Sequence, residues 1–112
     1  MGQVTLEPNG GQVTWHNHPN EEIYMILEGE AEMALGDELQ MLRAGQVVYI
    51  PSGVFHQLTN LSNVPTCFLY CYSPAGDVHH WMQELDGSLP RAGIDAPPLP
   101  EGASQQIQSS SR

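Results

Sequence analysis

Between Val4 and Tyr72 apolar and polar residues trade places in short runs, and Gly, Pro, Asn and Asp interrupt them at regular intervals. Val4–Leu6 alternates weakly, and Pro8-Asn9-Gly10-Gly11 is turn chemistry. Gln12–Trp15 reads as a short strand, broken at Pro19-Asn20. Glu22–Glu28 is the clearest strand so far. Its Ile23, Tyr24, Met25, Ile26 and Leu27 are apolar on both faces, which predicts cover on both: the domain's own core and a second subunit. Gly29 ends it. Glu30–Leu35 alternates, Gly36-Asp37-Glu38 turns, and Leu39–Leu42 completes a hairpin. After Arg43-Ala44-Gly45, three further strands are predicted at Val47–Ile50, Val54–Leu61 and Thr66–Tyr72, the last two parted by Ser62–Pro65. Strands at about eight-residue spacing with turn residues between them indicate an all-β antiparallel sandwich or barrel.

The pattern changes at Ser73-Pro74. Val78, Trp81, Met82 and Leu85 fall at i, i+3, i+4 and i+7, which predicts one short helix over Asp77–Leu85, with Asp77 as N-cap and Gly87 as C-cap. From Ser88 the chain carries Pro90, Pro97, Pro98 and Pro100, then a Ser/Gln run. Such a stretch has little apolar surface to offset ordering entropy and is expected to be a flexible, disordered tail. The division is therefore a β domain with its terminal helix over 1–87 and a tail over 88–112.

With 112 residues there is room for one domain and a real core. The three basic residues, Arg43, Arg91 and Arg112, face 13 acidic ones, a net charge of -10. No basic patch can be built from them, which excludes nucleic acid and anionic membrane surfaces as partners. No apolar run approaches the ~18 residues of a membrane span, and Met1–Gly11 has no leader pattern. A cytoplasmic location is expected. Cys67 and Cys71, four apart, share a strand face at a separation too long for an easy disulfide, and read as small buried hydrophobes.

The chemistry gathers in two stretches. His16-Asn17-His18-Pro19-Asn20-Glu21-Glu22 offers two imidazoles at i and i+2, on one side of an extended segment, with a carboxylate beyond. Gly45–His56 runs a β segment into a Pro51-Ser52-Gly53 turn and presents His56. Strand parity favours Glu22 over Glu21. Three imidazoles and one carboxylate suit one divalent transition ion (Fe, Mn, Ni, Cu, Co or Zn) and do not suit Ca or Mg. Tyr24 and Ile26 share the parity of Glu22, and Leu58 that of His56, so these three are the candidate pocket residues. Tyr49, Phe68, Tyr70 and Tyr72 are further wall candidates. Asn60 is better suited to a turn than to a substrate. The His79-His80 pair does not share a helix face, and reads as a surface, lid or proton-shuttle element rather than a second metal site.

These stretches resemble the two cupin motifs. Gly10, His16, His18, Glu22 and Gly29 fill G-x5-H-x-H-x3,4-E-x6-G, and Gly45, Pro51, Gly53, His56 and Asn60 fill G-x5-P-x-G-x2-H-x3-N. The resemblance covers about half the chain. It implies a double-stranded β-helix, or jelly-roll barrel, with a metal held by His16, His18, Glu22 and His56. It also implies a small metal-dependent enzyme acting on a small oxygenated organic molecule, as a dioxygenase, lyase or decarboxylase, or isomerase. Four protein ligands in a six-coordinate shell leave two positions for a substrate, or for a substrate atom and O2. Oxidoreductase chemistry is slightly favoured, and the catalytic residues beyond the metal site are open. The alternative is a non-catalytic module that binds a small ligand or metal. A metal-independent sugar-nucleotide epimerase fits less well, since no His–Tyr acid–base pair is evident. A homodimer is expected.

Overall fold

The structure, a computed structural model, describes residues 1–73 and 97–105. Eight strands follow one another: β1 (Gly2–Leu6), β2 (Gly11–His16), β3 (Glu21–Glu28), β4 (Glu30–Leu35), β5 (Glu38–Arg43), β6 (Val47–Ile50), β7 (His56–Asn60) and β8 (Thr66–Ser73). They form two four-stranded sheets, ordered β1-β8-β3-β6 and β2-β7-β4-β5. Every pairing is antiparallel. The all-β antiparallel architecture expected from the alternating pattern, and the jelly roll that the resemblance implies, are therefore what the chain builds. The helix expected over Asp77–Leu85 and the His79-His80 pair lie outside the described residues.

Alternation along each strand sends one set of side chains between the sheets. Tyr24 and Ile26 from β3, Val48 and Ile50 from β6, and Phe68 from β8 meet Met33 from β4 and Leu58 from β7 in one buried cluster. Burying such side chains contributes about 1.5–3 kcal/mol each. The turns are set by local chemistry. Gly29 adopts φ 83°, and a Cβ there would sit 2.8 Å from Pro65 O and Thr66 Oγ1. Only glycine allows β3 to pass into β4 so close to the start of β8. Asn60 clips the loops at the opposite edge: its Nδ2 donates to Leu6 O, Glu7 O and Val64 O, and its Oδ1 accepts from Ser62 N and Oγ.

The outer side of β3 carries Ile23 (42% exposed), Met25 and Leu27, and no described residue of the chain covers them; this is the face on which a second subunit is expected. Two features differ from the sequence reading. Cys67 is half-buried and Cys71 exposed, because β8 turns Phe68, Tyr70 and Tyr72 inward and the cysteines outward. Both cysteines are free. Within the stretch expected to be a disordered tail, residues 97–105 instead lie against the outer face of the second sheet. There Ala103 and Leu99 join Trp15, Ala34 and Phe55 in a second small apolar cluster. That strap explains why β4 and β7 are buried on both faces. A turn closes it, with Ala103 N donating to Pro100 O at 3.1 Å and Gly102 at φ 87°.

Candidate metal centre

The two histidine-bearing stretches are brought together by the Pro51-Ser52-Gly53 turn. Gly53 N donates to His18 O (2.9 Å), Ser52 Oγ to Pro19 O (2.6 Å) and Asn17 Nδ2 to Gly53 O (3.1 Å). Gly53 takes φ 79°, a conformation that favours glycine. The turn thus fastens the loop after β2 to the entry of β7. His16 and His56 become register partners across the β2–β7 ladder.

All three imidazoles are buried, with ring centroids 4.4 Å apart for His16 and His56, 4.9 Å for His18 and His56, and 5.5 Å for His16 and His18. One ligand atom from each lies within 4.8 Å of the others. Donors sharing one first-row ion with bonds of about 2.1 Å lie at most about 4.2 Å apart, so the widest pair would close by up to about 0.6 Å on binding. The three histidines could therefore hold a metal ion.

Each ring is oriented by the same device. His16 Nδ1 meets Thr14 O at 2.6 Å, His18 Nδ1 meets Asn20 O at 3.0 Å and His56 Nδ1 meets Val54 O at 2.9 Å. A carbonyl only accepts, so each Nδ1 carries the proton and each Nε2 turns its lone pair inward. This is the arrangement that fixes the tautomer of a ligating histidine.

Glu22 sits among them, buried on the inner face of β3. Its Oε1 is 2.9 Å from His18 Nε2 and 3.4 Å from His56 Nε2. The second contact is too poorly aligned to be a hydrogen bond, and it leaves the buried His56 Nε2 unsatisfied. An imidazole lone pair and a carboxylate are both acceptors. Two acceptors meeting in a buried space need a cation between them, either a proton or a metal ion. The donor set thus fits a transition metal on its own geometry. Glu21 projects to the opposite face, where Tyr49 Oη donates to it.

The electrostatics follow from burial and proximity. Burial pushes the Glu22 carboxyl up, but the close approach of His18 and His56 and their attraction outweigh it, and the net direction is down. Burial pushes His56 down, His16 nearby adds to that, and the Glu22 contact opposes without reversing it. His56 is therefore neutral at neutral pH, the form a metal requires.

The pocket candidates are placed as follows. Tyr24, Ile26 and Leu58 point into the barrel, with the Tyr24 ring 5.9 Å from His56 and 4.8 Å from Phe68. Tyr72 meets His18 edge-on at 5.6 Å, and Tyr70 lies 5.2 Å from Tyr72. Tyr49 is exposed on the outer face of β6, so it is not a wall residue. Sequence reading missed Trp15 and Gln57, both fully buried immediately beside His16 and His56. Their signal was a bulky side chain and an amide at outward positions next to each histidine.

A family model described as a cupin domain matches residues 2–72. An uncharacterized protein of Methanocaldococcus jannaschii is 40% identical over 70 residues, 62% of this chain. The chain spans 56% of that relative's own length and a far smaller share of other, longer relatives. Among solved structures, a protein of Thermus thermophilus superposes with TM-score 0.62 at 30% identity, covering 64% of this chain and 69% of that one. A predicted oxalate decarboxylase of Thermotoga maritima superposes with TM-score 0.59 at 32% identity, covering 62% and 61%.

Proposed function

The chain belongs to the cupin family, and on that premise we propose that it is a small metal-dependent enzyme acting on a small oxygenated organic molecule inside the barrel. The observation that carries this reading is the gathering of three buried imidazoles, one ligand atom of each within 4.8 Å of the others, with every Nδ1 held by a backbone carbonyl and the buried Glu22 carboxylate beside His18 and His56. His16, His18, His56 and Glu22 would hold one divalent transition ion. A bound ion of this kind supplies Lewis acidity and open coordination positions for substrate oxygens, with redox chemistry in addition if it is iron or manganese. The chain's own residues do the rest. The three carbonyls keep the rings from turning. Ile26 and Leu58 keep water from the inner side of the site, and Tyr24 and Tyr72 flank it with aromatic rings.

Among the described residues the one cationic side chain is Arg43, which is 75% exposed and paired with Glu30 on the rim of β4 and β5, so a bound ion would itself be the cation that substrate oxygens meet at the site. Dioxygenase chemistry is preferred over lyase or isomerase chemistry.

The test is oxygen uptake by untagged protein loaded in turn with Fe2+, Mn2+, Ni2+, Cu2+, Co2+ and Zn2+, against a β-diketone, a catechol and an enol. Uptake that depends on the metal and is lost in His56→Ala is expected. Full metal loading with no turnover of any of them would replace this reading with a non-catalytic module that binds a small ligand or metal. The same proposal takes the protein to be a cytoplasmic homodimer joined through the apolar outer face of β3 and β6, with no nucleic acid or membrane partner. Its net charge of -10 supports the latter. Among the described residues no helix is long and apolar enough to cross a membrane. Sedimentation as a monomer at micromolar concentration would remove the dimer.

A further inference from the structure

Neighbouring residues on a strand point to opposite faces. At the metal centre β2 turns His16 inward and Trp15 outward, while β7 turns His56 inward and Gln57 outward. Both outward neighbours are fully buried. What buries them is the strap, residues 97–105. Trp15 Nε1 donates to Pro97 O (2.8 Å), and Gln57 Nε2 donates to Ser104 O (2.9 Å). Ser104 N in turn donates to the carboxylate of the buried Glu32 on β4 (2.8 Å), and Gln12 Nε2 on β2 donates to Gln105 O (3.0 Å). Between these anchors Leu99 and Ala103 fill the space over Trp15, Ala34 and Phe55. The strap is gripped by side chains from three strands and runs directly behind two of the histidines.

Its position matters because of a break in the ladder. The β2–β7 register shifts between Val13 and His16. Such an irregularity locally disrupts the backbone hydrogen bonds between the strands. The ladder alone therefore leaves the ligand-bearing end of β2 loosely tied to β7. Trp15 lies within this irregular stretch, and its indole reaches the strap that Gln57 also holds.

We propose that the 97–105 strap is a positioning element for the metal centre, with Trp15 and Gln57 as its positioning residues: by bridging β2 and β7 across the register shift it fixes the separation of His16 and His56. Strap docking and metal binding then strengthen each other, and by linkage each must favour the other by the same factor. The inference rests on the reading of the site as a metal centre. Groups that orient metal ligands from behind typically change affinity about 10–100-fold when lost.

The probe is Zn2+ with the full-length protein, titrated against a chromophoric chelator. Backbone amide exchange is followed over Leu99–Gln105, with β5 as the control. Saturating Zn2+ is expected to slow exchange in the strap about tenfold more than in β5. Ala103→Asp, which places a charge beneath the strap, is expected to weaken Zn2+ binding by a similar factor, about tenfold, with the far-UV spectrum unchanged. Stoichiometric Zn2+ binding with strap and β5 slowed equally would overturn the strap's role and leave the metal reading intact. So would an Ala103→Asp variant with wild-type affinity. A flat Zn2+ titration of the unmodified chain would overturn both. Should Ala103→Asp fail to fold, the exchange comparison on the unmodified chain still decides.

Discussion

The two sheets are built by the same alternation and end with different surfaces. On β2-β7-β4-β5 the outward residues Trp15, Ala34, Gln57 and Thr59 are buried, because the chain returns over them as the strap. On β1-β8-β3-β6 the outward residues Ile23, Met25, Leu27, Val47 and Tyr49 remain exposed among the described residues. The sheet β1-β8-β3-β6 gives the candidate metal centre Glu22, and β2-β7-β4-β5 gives it His16 and His56. The sheet that carries more of the site is thus the one held from behind. An inward pattern sets which residues can face the core, but what lies on the other side is decided by long-range contacts.

The contrast predicts unequal responses to substitution. Trp15→Ala removes the largest buried side chain of the covered face and empties its apolar cluster. It is expected to cost about 3–5 kcal/mol in urea unfolding. A loss below about 1 kcal/mol would mean that the strap packs far less tightly than its contacts indicate.

The interior shared by both sheets responds to pH. In the metal-free protein burial holds His56 below its ordinary value of 6.5, so the unfolded chain takes up a proton that the folded chain refuses. Glu22 is held below its ordinary value of 4.5, so its contribution is present above that pH and fades as pH falls through the lowered value. Both groups act in the same direction. The urea midpoint of the apo protein is expected to fall as pH drops from 7 through 6.5, with a further fall below 4.5. A midpoint that is flat or rises between about pH 7 and 5 would contradict the buried, neutral His56.

The smallest effect belongs to the bare face. Ile23→Ser on the outside of β3 is expected to change monomer stability by no more than about 0.5 kcal/mol. If the face joins two copies, the same substitution shifts the sedimentation equilibrium toward monomer. A loss of several kcal/mol at dilutions where only monomer is present would show that Ile23 is covered within its own chain.

Most of this is legible in the residues. Strands of period two with glycine and proline between them give all eight elements, with ends displaced by a residue or two. Parity separates Glu22 from Glu21, and the structure places one inside and the other against Tyr49 outside. Aromatic character does not reveal that Tyr49 faces outward, while its odd position in β6 does. Apolar character misleads in the same way for the two cysteines of β8. The strap is not legible. Its anchors are backbone carbonyls and one amide, which any sequence possesses, and the partners that select them lie 47 to 93 residues away. A proline-rich, weakly apolar stretch looks unable to order itself, and here it is ordered by side chains of the sheet it covers.

If His16, His18, Glu22 and His56 form one metal-binding site, metal analysis of the untagged protein will show it. Close to one equivalent of a divalent transition ion per chain is expected after reconstitution, lost in His56→Ala while the fold is retained. Less than about a tenth of an equivalent in both the purified and the reconstituted protein would contradict it.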